Sequence, residues 1–274
     1  MEKEQLETYA EITKDINRIV DDMTLFDDDL MTLVFNKNIP ATELILRIIL
    51  GRRIRVISVN AQEEMKSPIV GGRDIILDIL AIDENGEEID IEVQGNSEGA
   101  HVRRARFHSG VLDSRMLREG DPFKILKDSY VIFIYKHDKF GAGLPIYRVE
   151  RVVKEIGKDF NDGSNIIYVN GSYKGDDEIG KLMHDFNAKT SADMIYKELA
   201  EGIHHFKETE EGRDSMCEAL QNYAEEYAEK KAEQTIINNV KALMDSMKWT
   251  LEQALDALKI QDKDRTYIIQ QLQK

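Results

Sequence analysis

Asp78, Glu92 and Gln94 are the residues whose spacing most directly suggests chemistry in this chain. They lie in RDIILDILAIDENGEEIDIEVQ, residues 73–94, where two alternating, β-branched runs flank the turn signal DENGE, the pattern of a β-hairpin. On the first run, residues 73–82, Ile75, Leu77, Ile79 and Ala81 fall on one face and Asp74, Ile76, Asp78 and Leu80 on the other. On the second, residues 87–94, Ile89, Ile91 and Val93 share a face opposite Asp90, Glu92 and Gln94. The apolar sets meet one core only if the polar sets coincide as well. A two-residue Asn85-Gly86 turn would set Asp78 against Val93. A three-residue loop, Glu84-Asn85-Gly86, pairs Asp83 with Glu87 and so Asp78 with Glu92, and it puts Gly86 where the loop needs a left-handed backbone. Opposed acids stand with Cβ atoms about 5 Å apart and repel. A hard divalent cation, Mg2+ or alternatively Mn2+, removes that repulsion, and Gln94, two residues on, is placed to orient a water there. The same alternation, taken alone, also describes a half-exposed sheet with Asp78, Asp90 and Glu92 in solvent.

The elements around the hairpin fit an α/β unit. Residues 1–30 read as one or two short helices with an acidic patch, DDMTLFDDDL. Ala41 to Leu50 form a short apolar helix after Pro40, on which Glu43 and Arg47, four apart, share a face. RIRVISV (53–59) is a strand, and a helix from roughly Glu98 to Arg118 follows the hairpin, with Val102, Ala105, Val111, Leu112 and Met116 as core positions. DSYVIFIYK (128–136) is a buried strand, with further strands at 144–152 and 165–173. From Asp176 the chain turns helical: EIGKLMHDFNA, SADMIYKELAEGIHHF, a long exposed or partner-pairing helix over about 213–248, and two short helices, the first with a Thr250–Gln253 capping box. The order predicts a mixed-sheet core over 1–175 and a helical region over 176–274, the latter serving association or regulation.

Composition narrows the classes. The 274 residues carry a net charge of −15, which excludes a protein that coats nucleic acid by bulk phosphate neutralisation but leaves room for a local basic stripe. No apolar run reaches the roughly 20 residues of a membrane span, and MEKEQLETYAEITKD lacks a signal-peptide core, so a cytoplasmic protein is expected. Cys217, the one cysteine, excludes a disulfide framework and a cysteine-rich zinc site and reads as a helix residue. His108 reads as structural, and His204 and His205 as surface residues.

Asp78, with Glu92-Val93-Gln94 fourteen positions later on the adjacent strand, resembles the PD-(D/E)XK nuclease signature. The hairpin run, the HVRRARFHSGVLDS that follows and NIIYVNG farther on are similar to the Rpn-type recombination-promoting nucleases and transposases of that superfamily, over roughly residues 20–200. The resemblance implies a restriction-endonuclease-like core (αβββαβ, mixed sheet) and a Mg2+-dependent DNA endonuclease that hydrolyses phosphodiester bonds in recombination or transposition. It makes Asp78 and Glu92 metal ligands, the Val93 carbonyl a third, and Glu43 an outer or water-orienting carboxylate, unless Glu43 merely pairs with Arg47. Gln94 stands where most members have lysine, which leaves water activation mainly to the metal. Leu77 stands where the signature has proline.

Arg103, Arg104 and Arg106 follow the hairpin, and Arg103 and Arg106 share a helix face. The guanidinium fork suits phosphate; the alternative is a solvated face paired with Asp113 or Glu98. A second function is compatible with the same fold: a catalytically weak or inactive binding or assembly module. The expected partners are DNA and, through the C-terminal helices, a second copy of the chain. Residues 250–272 could also be read as a helix-turn-helix, but few arginines and an acidic side suit a helix pair better.

Overall fold

The computed structural model describes residues 17–67, 69–96, 99–258, 260 and 265. Most of the N-terminal helical expectation, over residues 1–16, lies outside them, as do the last helix and most of the segment read as a helix-turn-helix.

The element order is α1 (Asp28–Phe35), α2 (Ile39–Leu50), β1 (Val56–Met65), β2 (Ile75–Asp83), β3 (Glu88–Gln94), α3 (Val102–Met116), β4 (Ser129–Tyr135), β5 (Ile146–Val149), β6 (Val152–Val153), β7 (Lys158–Asp159), β8 (Ser164–Asn170), α4 (Glu178–Asn187), α5 (Lys197–Ile203), α6 (Glu210–Met247) and α7 (Leu251–Ala257). Six strands form one mixed sheet in the order β1-β2-β3-β4-β8-β5. The first three are antiparallel neighbours, β3, β4 and β8 run parallel, and β5 closes the edge antiparallel to β8. This is the expected αβββαβ order on a mixed sheet with helices after it.

Two layers of helix cover the sheet. On one face α3 sets Ala105 and Leu112 against Leu80, Val131, Phe133 and Tyr168. On the other, α1 and α2 pack on β1 and α4 packs on α2, burying Leu30, Met31, Phe35, Ile45, Leu46, Ile49 and Phe186. A sheet covered twice makes its central strands nearly continuous in apolar residues, which is why YVIFIY of β4 does not alternate. Local chemistry sets the element ends. Asn38 accepts the Ala41 amide at 3.2 Å to cap α2, with Pro40 in the first turn, the place where proline's missing N–H matters least.

The structure departs from the sequence expectation in several places. β1 runs on to Met65 because it pairs along the length of β2, with Gln62 at φ 52 interrupting it. The strand expected over 144–152 is β5 and half of a separate two-stranded ribbon. Val102 is 51% exposed in the first turn of α3, so Ala105 and Leu112 carry that packing while Val111 and Met116 are partly buried.

A first compact unit ends at Cys217 and a second begins at Glu218. In the second, Ile237 and Val240 of α6 bury against Ala254 and Leu255 of α7. Thr250 and Gln253 form the expected capping box, at 2.9 and 3.3 Å. No described helix is long and apolar enough to cross a membrane.

Candidate metal centre

The hairpin tip closes as the three-residue loop requires: Asp83 N–H donates to Glu87 O at 3.2 Å and Gly86 sits at φ 78. The ladder then reads Ile82↔Glu88, Ala81↔Ile89, Leu80↔Asp90 and Ile79↔Ile91. One step further, Asp78 meets Glu92, and there the backbone ladder stops. Each carboxylate instead accepts an amide proton from the opposite strand, Asp78 N–H to Glu92 Oε1 at 3.2 Å and Val93 N–H to Asp78 Oδ2 at 2.9 Å. Gln94 bridges the pair, its Nε2 lying 3.1 Å from Asp78 Oδ2 and 3.2 Å from Glu92 Oε2.

From α3 comes a chain of polar contacts. Arg104 forms an ion pair with Glu92 Oε2 and donates to Gln94 Oε1 at 3.3 Å, to Gly99 O at 3.2 Å and, through Nε, to His108 Nε2 at 3.2 Å. A ring nitrogen that accepts is deprotonated, so His108 carries its proton on Nδ1 and donates it to Asp90 Oδ2 at 2.8 Å. Asp28 enters from α1. Its Oδ1 accepts from Gln62 Nε2 at 3.1 Å, and Gln62 lies between the pairs Ala61↔Ile79 and Glu63↔Leu77, opposite Asp78.

Burial dominates the electrostatics. Asp90 and Glu92 are both 0% exposed, so the polar face is not the solvated one that the alternation also allowed: α3 lies over it. Burial, then the neighbouring Glu92 charge, holds Asp78 well above the usual carboxylate range. Burial, then Asp78, does the same to Asp90. Glu92 is pushed up to about 8 by burial and then by Asp90. Burial also raises Asp28 and lowers His108. Three buried or half-buried acids thus face one arginine.

This donor set fits a cation. Asp90 Oδ1 is buried with no hydrogen-bond donor from the described residues, a condition that a shared proton, an ordered water or a cation relieves. Asp90, Glu92 and His108 offer ligand atoms that all lie within 4.8 Å of one another, the one such group among the described residues. Both nitrogens of His108 are already engaged, with Asp90 and Arg104. The carboxylates of Asp78 and Glu92 each keep lone-pair capacity beside the bonds they accept, so these two acids, with Asp90 beside them, are the ones that would hold a hard cation.

Of the residues singled out in the sequence, the structure brings together Asp78, Glu92, Val93 (through its amide), Gln94 and Arg104. It does not bring Glu43. That carboxylate accepts the Val56 amide at 2.9 Å, and Val56 pairs with Asp83, five residues from Asp78 or about 17 Å along a strand. Nor does Glu43 pair with Arg47, which reaches Glu178. Asp28 is the acid that α1 supplies instead. Arg103 and Arg106 are exposed and line the neighbouring groove. Neither pairs with Asp113, whose Oδ1 accepts from Ser129 Oγ at 2.9 Å.

Over residues 36–254 the sequence matches the PD-(D/E)XK nuclease family transposases. The chain belongs to that family. The matched span takes in the whole sheet, α3 and the hairpin acids of this PD-(D/E)XK family member, and it begins after α1 and Asp28. No curated protein and no solved structure matches the chain.

The raised acids give the family member a testable pH response. Between pH 4.5 and about 8 the unfolded chain releases the Glu92 proton while the folded protein keeps it, so folding becomes less favourable as pH rises through that window. In metal-free buffer the melting temperature of the sheet unit should fall by several degrees from about pH 5 to about 8. Millimolar Mg2+ should recover the loss chiefly at the upper end, because a ligand must be deprotonated to bind. A metal-free melt that does not change with pH contradicts this account of the buried acids.

Proposed function

We propose that the chain is a Mg2+-dependent endonuclease, with Mn2+ able to substitute, that hydrolyses phosphodiester bonds of DNA in transposition or recombination. The observation that carries the reading is the convergence of Asp78 and Glu92 on the Gln94 amide at the point where the β2–β3 ladder stops. Asp78 and Glu92 would hold the cation, with Asp90 behind them to add negative charge. The cation, when bound, polarises the phosphoryl group and makes water a better nucleophile at neutral pH.

The chain's own residues fix the geometry. Gln94 keeps the two carboxylates at a set separation, but its amide cannot take up or release a proton near neutral pH. Arg104 is the guanidinium partner of Glu92 in the metal-free protein. With its side chain one-third exposed, it is placed to receive a phosphate oxygen through a charge-assisted hydrogen bond. His108, fixed by Asp90, holds the guanidinium plane.

The test is cleavage of plasmid and linear DNA by purified protein across a Mg2+ or Mn2+ titration. Cutting should appear with metal and stop with chelator. Calorimetry that detects no binding at millimolar metal would refute the proposal. The second reading, an inactive assembly module, is favoured by Gln94, since lysine at that position would supply a charge that the amide lacks; metal binding without turnover on any DNA would support it.

We further assign self-association to the helical C-terminal region. Truncation after about residue 212 should lower the mass measured by light scattering, and an unchanged oligomeric state rejects the assignment.

A further inference from the structure

Beside the carboxylate cluster runs a groove between the β1–β2 hairpin and α3. Its inner part, about 640 Å³, is lined by Arg73, Ile76, Arg103, Arg104 and Phe107. Its outer part, about 700 Å³, continues past Arg73, Arg103 and Phe107 to Arg106 and Ile69. Each part has the size of a small-ligand site. Arg73, Arg103 and Arg106 are exposed and make no ion pair among the described residues. Asp74 also lines the inner part, but its carboxylate is occupied by the Ser67 amide at 2.7 Å and by Lys66 at 3.5 Å rather than by an arginine. In a chain of net charge −15, three unpaired arginines on one groove mark a place for an anion of the opposite design.

The floor adds a second, independent property. Phe107 is 43% exposed, Ile76 51% and Ile69 72%, and Phe107 has no ring partner among the described residues. An aromatic face between cationic walls is how proteins hold unpaired nucleic acid: bases stack on the ring and phosphates follow the charges. A regular duplex keeps its bases inside the stack, so its base faces cannot reach Phe107. Arg104 and His108 line the inner end, which places a nucleotide seated on Phe107 next to the Glu92 carboxylate.

We propose that this groove binds single-stranded DNA, with one unpaired base stacked on Phe107 and the flanking phosphates held by Arg73, Arg103 and Arg106. The proposal rests on the DNA nuclease reading and narrows its substrate to strands with unpaired nucleotides, such as ends, flaps or melted junctions.

Fluorescence anisotropy of a labelled oligothymidine in chelator, where no cleavage occurs, tests it with the full chain. Wild type should bind oligothymidine more tightly than a blunt duplex of equal length. Phe107→Ala should weaken oligothymidine binding roughly 5- to 150-fold, the equivalent of one lost base–aromatic stack, while Phe107→Trp should retain it. Because Phe107 is half-exposed, melting curves should show both variants folded. Unchanged binding by Phe107→Ala, or a preference for duplex, overturns the groove assignment. The two readings fail separately. Tight, Phe107-dependent binding without metal-dependent cleavage removes the nuclease and keeps the groove; metal-dependent cleavage of blunt duplex that Phe107→Ala leaves intact removes the groove and keeps the nuclease.

Discussion

Asp78→Ala is expected to lower metal-dependent DNA cleavage by about 10²- to 10³-fold or more, the scale lost when one preorganised electrostatic group is removed from a reacting site. The fold should survive. Asp78 is held well above the ordinary carboxylate range by burial and by Glu92, so its charge burdens the metal-free protein, and deleting it relieves Glu92. Against that relief stand two donors that lose their acceptor, the Val93 amide and Gln94 Nε2, each unsatisfied group costing about 1–3 kcal/mol when shielded from water. The opposing effects should leave stability within about 2 kcal/mol of wild type. Asp78→Asn separates the contributions, because its amide oxygen still accepts from Val93 while the negative charge is gone. It should be as inactive as alanine and more stable. Undiminished cleavage by either variant after repeated purification would remove Asp78 from the site and, with it, the case for chemistry at the hairpin.

The hairpin itself was legible because two unrelated constraints selected one register: the alternation of apolar residues and the single glycine able to sit at φ 78. What alternation could not reveal is whether a polar face is wet. Asp90 and Glu92 read equally well as solvent-facing until α3 is laid over them, and only the coverage of both sheet faces makes them buried acids. The choice of arginine was hidden for a related reason. Spacing pairs Arg103 with Arg106, but the buried stripe of α3 is Ala105, His108, Ser109 and Leu112, and Arg104 flanks that stripe one turn before His108. That stripe was in the sequence, visible once His108 is counted as an inward residue. The acid from α1 was less accessible. Asp27, Asp28 and Asp29 are consecutive, with no periodicity to choose among them, and Gln62 at φ 52, which brings β1 against Asp28, carries no glycine to announce it. Glu43 shares an otherwise apolar helix with Arg47, which gives it the look of a site acid, yet its carboxylate serves the Val56 amide at the start of β1.

Arg104→Met should destabilise the metal-free protein and leave the metal-loaded protein much less affected. Methionine keeps an apolar stem of similar length but removes the guanidinium carbon that sits 6.0 Å from the Phe133 ring centroid, so the loss is charge, hydrogen bonding and that cation–π contact. Glu92 would then be a fully buried acid without its guanidinium partner, and His108 Nε2, Gln94 Oε1 and Gly99 O would each lose a donor. Removing one member of a buried pair costs about 3–5 kcal/mol. Water reaching the one-third-exposed arginine side chain reduces this to about 2–3 kcal/mol, or about 5–10 °C in melting temperature for a unit of this size. A divalent cation on Asp78 and Glu92 replaces the missing charge, so saturating Mg2+ or Mn2+ should recover most of the difference. By the same linkage the variant should bind metal more tightly than wild type, because Arg104 no longer competes for Glu92. Glu92→Gln in the Arg104→Met background should also recover stability in the absence of metal, since the uncompensated acid is gone. If Arg104→Met is equally destabilised with and without metal, and its metal affinity is unchanged, then Arg104 is a packing residue of α3 and the cation site must lie away from Glu92.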